Sequence, residues 1–161
     1  MSPSKSRFLS DYLIVDKLLD ECYRDPNFSV KRMSTKLGIS VSYLRELVTC
    51  RFEINPHKLI ENYRLTKSLE LLENDMKEYD IINRIGYSST RTFRRAFKNR
   101  LNMLPIQYKT LKNTTIAETK KFHQECINKL WPSKLLHYYY YCIMVILSGD
   151  FILLYLTLIK I

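Results

Sequence analysis

The sequence predicts an all-α fold in which a long connector helix joins two helix-turn-helix subdomains and an apolar C-terminal tail follows. Periodic apolar positions and a low glycine content, three in 161 residues, favour helices over strands. A short helix, a glycine-containing turn and a polar-faced helix occur twice in succession, as in a helix-turn-helix. We expect a domain over residues 8–112, a polar linker over 113–134 and the tail over 135–161.

The first helix-turn-helix is expected over about residues 29–52. Ser29 and Ser40 are candidate N-caps for its two helices, because their hydroxyls can accept a backbone N–H of the first turn. Gly38 provides the turn between the helices. The apolar positions of the second helix are expected to face the core: Leu44, Leu47 and Val48.

The connector helix is expected over about residues 56–74. Asn55 followed by Pro56 is a typical helix start, since asparagine caps the first turn and proline fits its first position. Apolar residues cover much of the helix circumference, which suits a segment packed between two units. These residues are Leu59, Ile60, Tyr63, Leu65, Leu69, Leu71 and Leu72.

The second helix-turn-helix, over about residues 78–100, contains the most informative helix of the chain. Residues 84–100 hold six cations and no acid. At about 100° per residue, Phe93, Ala96 and Phe97 lie on one helix face. The opposite face presents Arg91, Arg94, Arg95 and Lys98. Such a helix can lie against a phosphate backbone or in a groove, and a merely solvated basic face is the alternative.

An internal repeat relates the two units at an offset of about 49 residues. It aligns the apolar face of the first unit's second helix with the aromatic face just described. At the same offset, four residues of the first unit match the four cations: Ser42, Arg45, Glu46 and Thr49. The repeat therefore predicts two equivalent exposed faces of different charge.

Composition favours a nucleic-acid partner and argues against catalysis. The net charge of +10 suits a polyanion, although anionic lipid would also fit. The four cysteines are far apart, and with three histidines they form no zinc-binding pattern, so no metal is expected. Because the sequence has no nucleophile-base set and no glycine-rich phosphate loop, we expect neither an enzyme nor a cofactor.

The two ends of the chain predict different locations. The N-terminus lacks the apolar segment of a signal peptide, which predicts a cytoplasmic protein. The run over residues 135–159 is long enough to span a bilayer, and Lys129 and Lys134 would keep its N-terminal side cytoplasmic. Asp150 interrupts that run. A tail anchor at the inner membrane face, a helix packed on the domain and an extension without a selected role remain alternatives.

Spaced residues in both units and in the connector point to one known family. The second unit and the helix after it contribute Ile81, Ile85, Gly86, Tyr87, Phe93, Arg95, Phe97, Lys98, Pro105, Tyr108 and Lys109. The connector contributes Arg64, Leu65, Lys67, Leu71 and Leu72. From Asp16 to Lys109 the chain resembles the DNA-binding domain of AraC/XylS-type bacterial transcription regulators. The resemblance implies seven helices and regulation of transcription through sequence-specific binding of double-stranded DNA.

The resemblance also implies which side chains meet DNA, since the second helix of each family unit enters a major groove. These are Ser42, Arg45, Glu46 and Thr49 in the first unit, and Thr90, Arg91, Arg94, Arg95 and Lys98 in the second. The family permits contact with RNA polymerase. About ten residues precede the first predicted helix, too few for a sensor domain, so we expect no small-molecule effector. A membrane-associated protein held by its tail, and a decayed product without activity, remain alternatives.

Five positions depart from the family pattern, and one of them, Ile82, replaces the small residue that is usual in the core beside the turn. Glu46 stands where a basic residue is frequent, which predicts weaker phosphate binding by the first unit. Glu53 and Asn102 stand where glycine usually follows the second helix, and glutamate tolerates a left-handed backbone less well than asparagine. Leu104 replaces the usual Ser or Thr cap before Pro105, which predicts a weaker helix start.

Overall fold

The computed structural model describes residues 5–111 and 116–131, with side chains from Ile14 onward in the first helix. Within these ranges the chain forms eight helices and no strand, which confirms the all-α class. The helices are α1 (Lys5–Cys22), α2 (Val30–Leu37), α3 (Val41–Phe52), α4 (Pro56–Glu73), α5 (Glu78–Ile85), α6 (Thr90–Leu101), α7 (Pro105–Leu111) and α8 (Ile116–Leu130). The two helix-turn-helix units are α2–α3 and α5–α6, and α4 is the connector.

One apolar core extends through the described helices, with α4 at its centre. Leu59, Leu65, Leu69 and Leu72 of α4 are completely buried. Each such leucine contributes about 1.5–3 kcal/mol of hydrophobic free energy relative to an exposed one. The connector packs against α3 and α5, and also against α7 and α8. Because apolar residues cover most of its circumference, α4 supports both units from one shared core.

The predicted N-caps are confirmed. Each side-chain oxygen accepts the backbone N–H three residues further on, at 3.4 Å for Ser29, 3.0 Å for Ser40 and 2.9 Å for Asn55. Ser89 caps α6 in the same way, at 3.2 Å. These bonds satisfy backbone donors that have no acceptor within their own helix, and so they define where each helix begins.

The start of α7 replaces its missing cap in another way. The sequence predicts a weak start because Leu104 has no side-chain oxygen. In the structure the Leu104 backbone N–H donates to Gln107 Oε1 at 2.7 Å. This contact is the glutamine half of a capping box, in which the third helical residue reaches back to the N-cap. Gln107 therefore supplies part of the stabilisation that the cap position lacks.

Both units turn at a glycine with a left-handed backbone, but the surroundings of the two glycines differ. Gly38 ends α2 at φ 65°, and Gly86 ends α5 at φ 74°. A Cβ atom on Gly38 would meet nothing within 4 Å, whereas one on Gly86 would lie 2.2 Å from the Tyr23 carbonyl oxygen. The first turn needs glycine for its backbone angle alone. The second also needs it for close packing against the loop after α1.

Helix α8 corrects the prediction of a polar linker over 113–134. Residues 116–130 of that range form a helix that packs against α4 and α6. Cys126 and Leu130 are completely buried, and Phe122 and Ile127 pack partly against the same core. Because these residues recur at helical spacing, they form a narrow apolar stripe along one face of α8, whose other residues are polar. Residues 112–115 and 132–134 lie outside the described residues.

The predicted apolar tail over residues 135–161 lies outside the described residues. Among the helices over residues 5–111 and 116–131, none combines the length and the apolar character needed to cross a bilayer.

Candidate nucleic-acid interface

Helix α6 has a completely buried aromatic face and an exposed cationic face. Phe93 and Phe97 have no exposed surface, and their rings meet edge to face with centroids 5.6 Å apart. Phe97 continues the aromatic cluster to Tyr108 of α7, at 6.2 Å between centroids. Arg91, Arg95 and Lys98 project into solvent on the other side. The aromatic packing fixes the rotation of α6, and that rotation decides which side chains face outward.

Arg94 differs from the other cations of α6 because it forms an ion pair with α5. Its Nε lies 2.7 Å from Glu78 Oε2. The Glu78 side chain is only 16% exposed, whereas that of Arg94 is 56% exposed. The contact orients the guanidinium and partly neutralises its charge. Arg94 therefore joins the two helices of the second unit.

Helix α3 presents the equivalent face of the first unit. Leu44, Leu47 and Val48 are buried against the core. The four predicted contact residues of this helix are exposed: Ser42, Arg45, Glu46 and Thr49. The outward face of α3 thus combines one cation, one acid and two hydroxyls, whereas α6 presents four cations and the partly exposed Thr90. All nine predicted residues lie at the surface, and contact with DNA stays a prediction for each of them.

Both α3 and α6 end at a residue other than glycine with a left-handed backbone. Glu53 ends α3 at φ 56°, and Asn102 ends α6 at φ 61°. Each backbone N–H bonds back to the carbonyl four residues earlier, at 3.0 Å for Glu53 and 2.9 Å for Asn102. The strain expected from the sequence is therefore present, and it is larger at glutamate than at asparagine.

Arg64 links the connector to the loop after α1 and to the turn of the second unit. Its Nε donates to the Tyr23 carbonyl at 2.9 Å, and its Nη2 donates to the Asp25 carbonyl at 2.8 Å. The guanidinium also lies over the Tyr87 ring, 5.7 Å from the centroid. Burial lowers the pKa of Arg64, and the contacts with Tyr87 and Asp25 oppose that shift. Arg64 and Gly86 together fix the turn of the second unit against the loop after α1.

Glu61 is an acid close to the cationic face of α6. Its Oε2 lies 3.9 Å from Arg100 Nε. Burial raises the pKa of the Glu61 carboxyl, and the charges of Arg100, Lys58 and Arg95 oppose that rise. The carboxylate thus lowers the local positive potential beside Arg95 without forming a close ion pair to it.

Two helix-turn-helix units on one connector, each with an outward polar face, are the architecture of a tandem DNA-binding domain. Comparisons with known proteins agree, since residues 33–110 match the family described as a helix-turn-helix domain. Over these residues, which are just under half of the chain, the protein is similar to AraC-type helix-turn-helix domains.

Two solved structures share the fold. The C-terminal domain of the two-component response regulator yesN from Fusobacterium nucleatum is 26% identical, with a TM-score of 0.59; the match covers 62% of this chain and 98% of that domain. The C-terminal domain of AraT, a response regulator from Geobacillus stearothermophilus, is 20% identical, with a TM-score of 0.61. That match covers 66% of this chain and 88% of that one, and it supports the fold alone.

Curated relatives match over the same region. The transcriptional regulatory protein HptR of Staphylococcus aureus is 26% identical over 100 residues, which cover 61% of this chain and 40% of HptR. Histidine kinase P4 of Formosa agariphila is 27% identical over 93 residues, which cover 57% of this chain and 7% of the kinase. The chain thus corresponds to less than half of each of these relatives.

Sequence reasoning missed three residues that shape the interface. Glu78 pairs with Arg94, and Glu61 lies 3.9 Å from Arg100 of α6. The buried Asn62 accepts a hydrogen bond from Arg100 through its Oδ1 at 2.9 Å. A signal existed for Asn62, because it is a polar residue between apolar positions of the connector. Glu78 and Glu61 carried no such signal, since an acid on a helix surface is normally solvated.

Proposed function

We propose that this chain is a sequence-specific regulator of transcription that binds double-stranded DNA through both helix-turn-helix units. The observation that supports the proposal most directly is the rotation of α6. Buried Phe93 and Phe97 orient the helix so that Arg91, Arg95 and Lys98 face outward from an AraC-type domain. A polyanionic duplex is the partner that such a face attracts.

The length of the connector supports binding on one side of the duplex. Helix α4 has 18 residues, about 27 Å at 1.5 Å per residue. Successive major grooves on one face of B-DNA lie about 34 Å apart. We infer that α3 and α6 enter adjacent major grooves, with α4 spanning the minor groove between them.

Each outward residue has a role that follows from its chemistry. Arginine can form two hydrogen bonds to guanine, and glutamate can accept from the cytosine amino group, with about 1–3 kcal/mol of discrimination for a good pair. Lysine more often contacts phosphate, which adds affinity without sequence information. We assign guanine reading to Arg45, Arg91 and Arg95, cytosine reading to Glu46, phosphate contact to Lys98, and weaker polar contacts to Ser42, Thr49, Thr90 and the paired Arg94.

This role would place the chain in the bacterial cytoplasm with the chromosome. The relatives named as regulators are bacterial proteins. A DNA-binding domain has access to its target only in the compartment that holds the DNA.

The test is selection of bound sequences from a randomised duplex pool by the full chain, followed by affinity measurements across a salt series. We expect one enriched site with two half-sites about one helical turn apart. The logarithm of the binding constant should fall linearly with the logarithm of salt concentration, by about 0.9 for each phosphate contact. Absence of an enriched sequence, or a flat salt response, would contradict the proposal.

A pair of variants tests the docking face. Arg95→Ala removes an outward cation of α6, whereas Lys58→Ala removes an exposed cation of the connector. We expect Arg95→Ala to weaken binding to the selected site by tenfold or more, corresponding to about 1.4 kcal/mol. Lys58→Ala should change it less. Equal losses would mean that α6 does not face the duplex.

A further inference from the structure

Helix α8 lies beyond the family match over residues 33–110, yet it is part of the folded core. Its buried stripe contains Cys126 and Leu130, and burial raises the pKa of the Cys126 thiol to about 11. The helix packs against α4 and α6 on the side of their apolar core. An element in this position can influence α6 without touching DNA.

The end of α8 is joined to the end of α6 through one buried amide. Asn62 of the connector is completely buried. Its Oδ1 accepts a hydrogen bond from Arg100 Nε at 2.9 Å, and its Nδ2 donates to the Leu130 carbonyl. The amide thus uses its acceptor on α6 and its donor on α8. Loss of either partner would leave a buried polar group unsatisfied, which is costly. The two hydrogen bonds of Asn62 therefore favour one relative position of α6 and α8.

The residue after α8 makes the corresponding contact with the first unit. The ring of Trp131 lies 6.1 Å from that of Phe52, the last residue of α3. Trp131 Nε1 donates to Thr66 Oγ1 of the connector at 3.0 Å. The hydrogen bond fixes the orientation of the indole, and the indole in turn packs against the end of α3.

The middle of α8 is attached to α7 and to the end of the connector. Tyr108 Oη donates to Glu73 Oε1 at 2.9 Å and lies 2.9 Å from His123 Nδ1. His123 also contacts the Glu73 carboxylate directly. The Phe122 ring lies 5.5 Å from the Tyr108 ring. These contacts fix α8 along its length, so that its end is held in a defined place.

We propose that α8 and Trp131 act as a brace that sets the position of α3 relative to α6 and thereby the half-site spacing that the protein accepts. The brace contacts α3 through Trp131 and reaches α6 through Asn62. Arg64 and Gly86 hold the connector and the turn of the second unit elsewhere, against the loop after α1. Asn62, Thr66 and Trp131 are positioning residues, because they act on DNA binding only through α3 and α6. This inference rests on the proposed function.

The test uses the full chain and the duplex selected by the unaltered protein. Duplexes with one base pair added or removed between the half-sites rotate one half-site by about 35° relative to the other. We expect the unaltered chain to lose tenfold or more in affinity on either change. Trp131→Ala should reduce that discrimination to threefold or less. The affinity of the Trp131→Ala variant for a duplex that carries only the half-site of α6 should differ less than twofold from that of the unaltered chain.

Three further variants separate positioning from general stability. Trp131→Phe keeps an aromatic ring against Phe52 and should restore part of the spacing discrimination. Thr66→Val removes only the acceptor for Trp131 Nε1 and should give an intermediate loss. Asn128→Ala removes an exposed partner of Gln124 on the outer side of α8 and should behave like the unaltered chain. Thermal unfolding of each variant is measured alongside.

The outcomes distinguish the two proposals. If the unaltered chain selects no two-part site, the proposed function fails, and the brace fails with it before any variant is made. If the site is selected but Trp131→Ala and Thr66→Val keep full spacing discrimination, the brace alone is overturned. If Trp131→Ala does not fold, Thr66→Val decides, because it changes the size of the side chain little while removing one hydrogen bond.

Discussion

The two helix-turn-helix units share a backbone design but differ in charge and in the space around their turns. At the four matched outward positions, α6 has cations throughout, whereas α3 has Ser42, Arg45, Glu46 and Thr49. The turn of the first unit is open around Gly38, and the turn of the second is closed around Gly86. The second unit is therefore both more cationic and more tightly built into the rest of the molecule.

The two units of the repeat share their fold and their buried apolar faces, but the charges of their outward faces differ. Buried faces of α3 and α6 are apolar in both units, because each must fill the core around α4. The outward faces do not fill the core, so their side chains can differ between the two units. We expect the second unit to supply most of the electrostatic affinity for a duplex and the first unit to add mainly sequence preference.

The largest effect on the free energy of unfolding is expected from substitution of the two turn glycines. Gly86→Ala would place a Cβ 2.2 Å from the Tyr23 carbonyl and also strain the backbone, so we expect a loss of about 3 kcal/mol or more in the free energy of unfolding. Gly38→Ala strains the backbone without a steric clash, so it should lower the free energy of unfolding by about 1–2 kcal/mol. Urea unfolding measures both. Equal costs would mean that the second turn does not pack as closely as described.

The next effect concerns the charges of matched outward positions. Lys98→Ala should lower the slope of the salt dependence of DNA binding by about one, because one phosphate-neutralising cation is lost. Thr49→Ala, at the matched position of α3, should leave the slope unchanged. Glu46→Gln should modestly raise affinity for unselected duplex DNA by removing repulsion from phosphates. Similar slopes for Lys98→Ala and Thr49→Ala would contradict the electrostatic difference between the units.

A smaller effect on stability is expected from substitutions at the residues that end α3 and α6. Glu53→Gly should stabilise the protein by about 1 kcal/mol, since glycine adopts the left-handed backbone without strain. Asn102→Gly should gain only a few tenths, because asparagine already tolerates that conformation. Thermal unfolding midpoints compare the two variants directly. A larger gain at Asn102 would reverse the expected order of strain.

The smallest effect is a pH dependence at Glu61. Burial raises the pKa of this carboxyl in the folded state above its unfolded value. The stabilisation from its protonated form is therefore present at low pH and is lost as the pH rises through the folded pKa. Glu61→Gln should reduce the loss of stability that occurs as the pH rises above 4.5, the ordinary pKa of a glutamate carboxyl. The same substitution should slightly strengthen DNA binding by removing a negative charge from the surroundings of Arg95. An unchanged pH profile would contradict this account.

The sequence predicted features that depend on local chemistry. N-caps, turn glycines and the buried face of α6 follow from a few neighbouring residues, and each was found where expected. Helix α8 was missed because its apolar stripe is narrow and its other residues are polar. The Arg94–Glu78 pair and the contacts of Asn62 join distant residues, and no local rule states which distant residue a side chain will meet.

The unlike outward faces of α3 and α6 give the molecule a polarity along the duplex. A two-fold symmetric dimer on a palindrome binds equally well after the duplex is reversed. A chain whose matched outward residues differ at three of four positions has no such equivalence, so it would sit on its site in one orientation only. Reversing the site beside a promoter would then turn the bound protein end for end and present α8 towards the opposite flank.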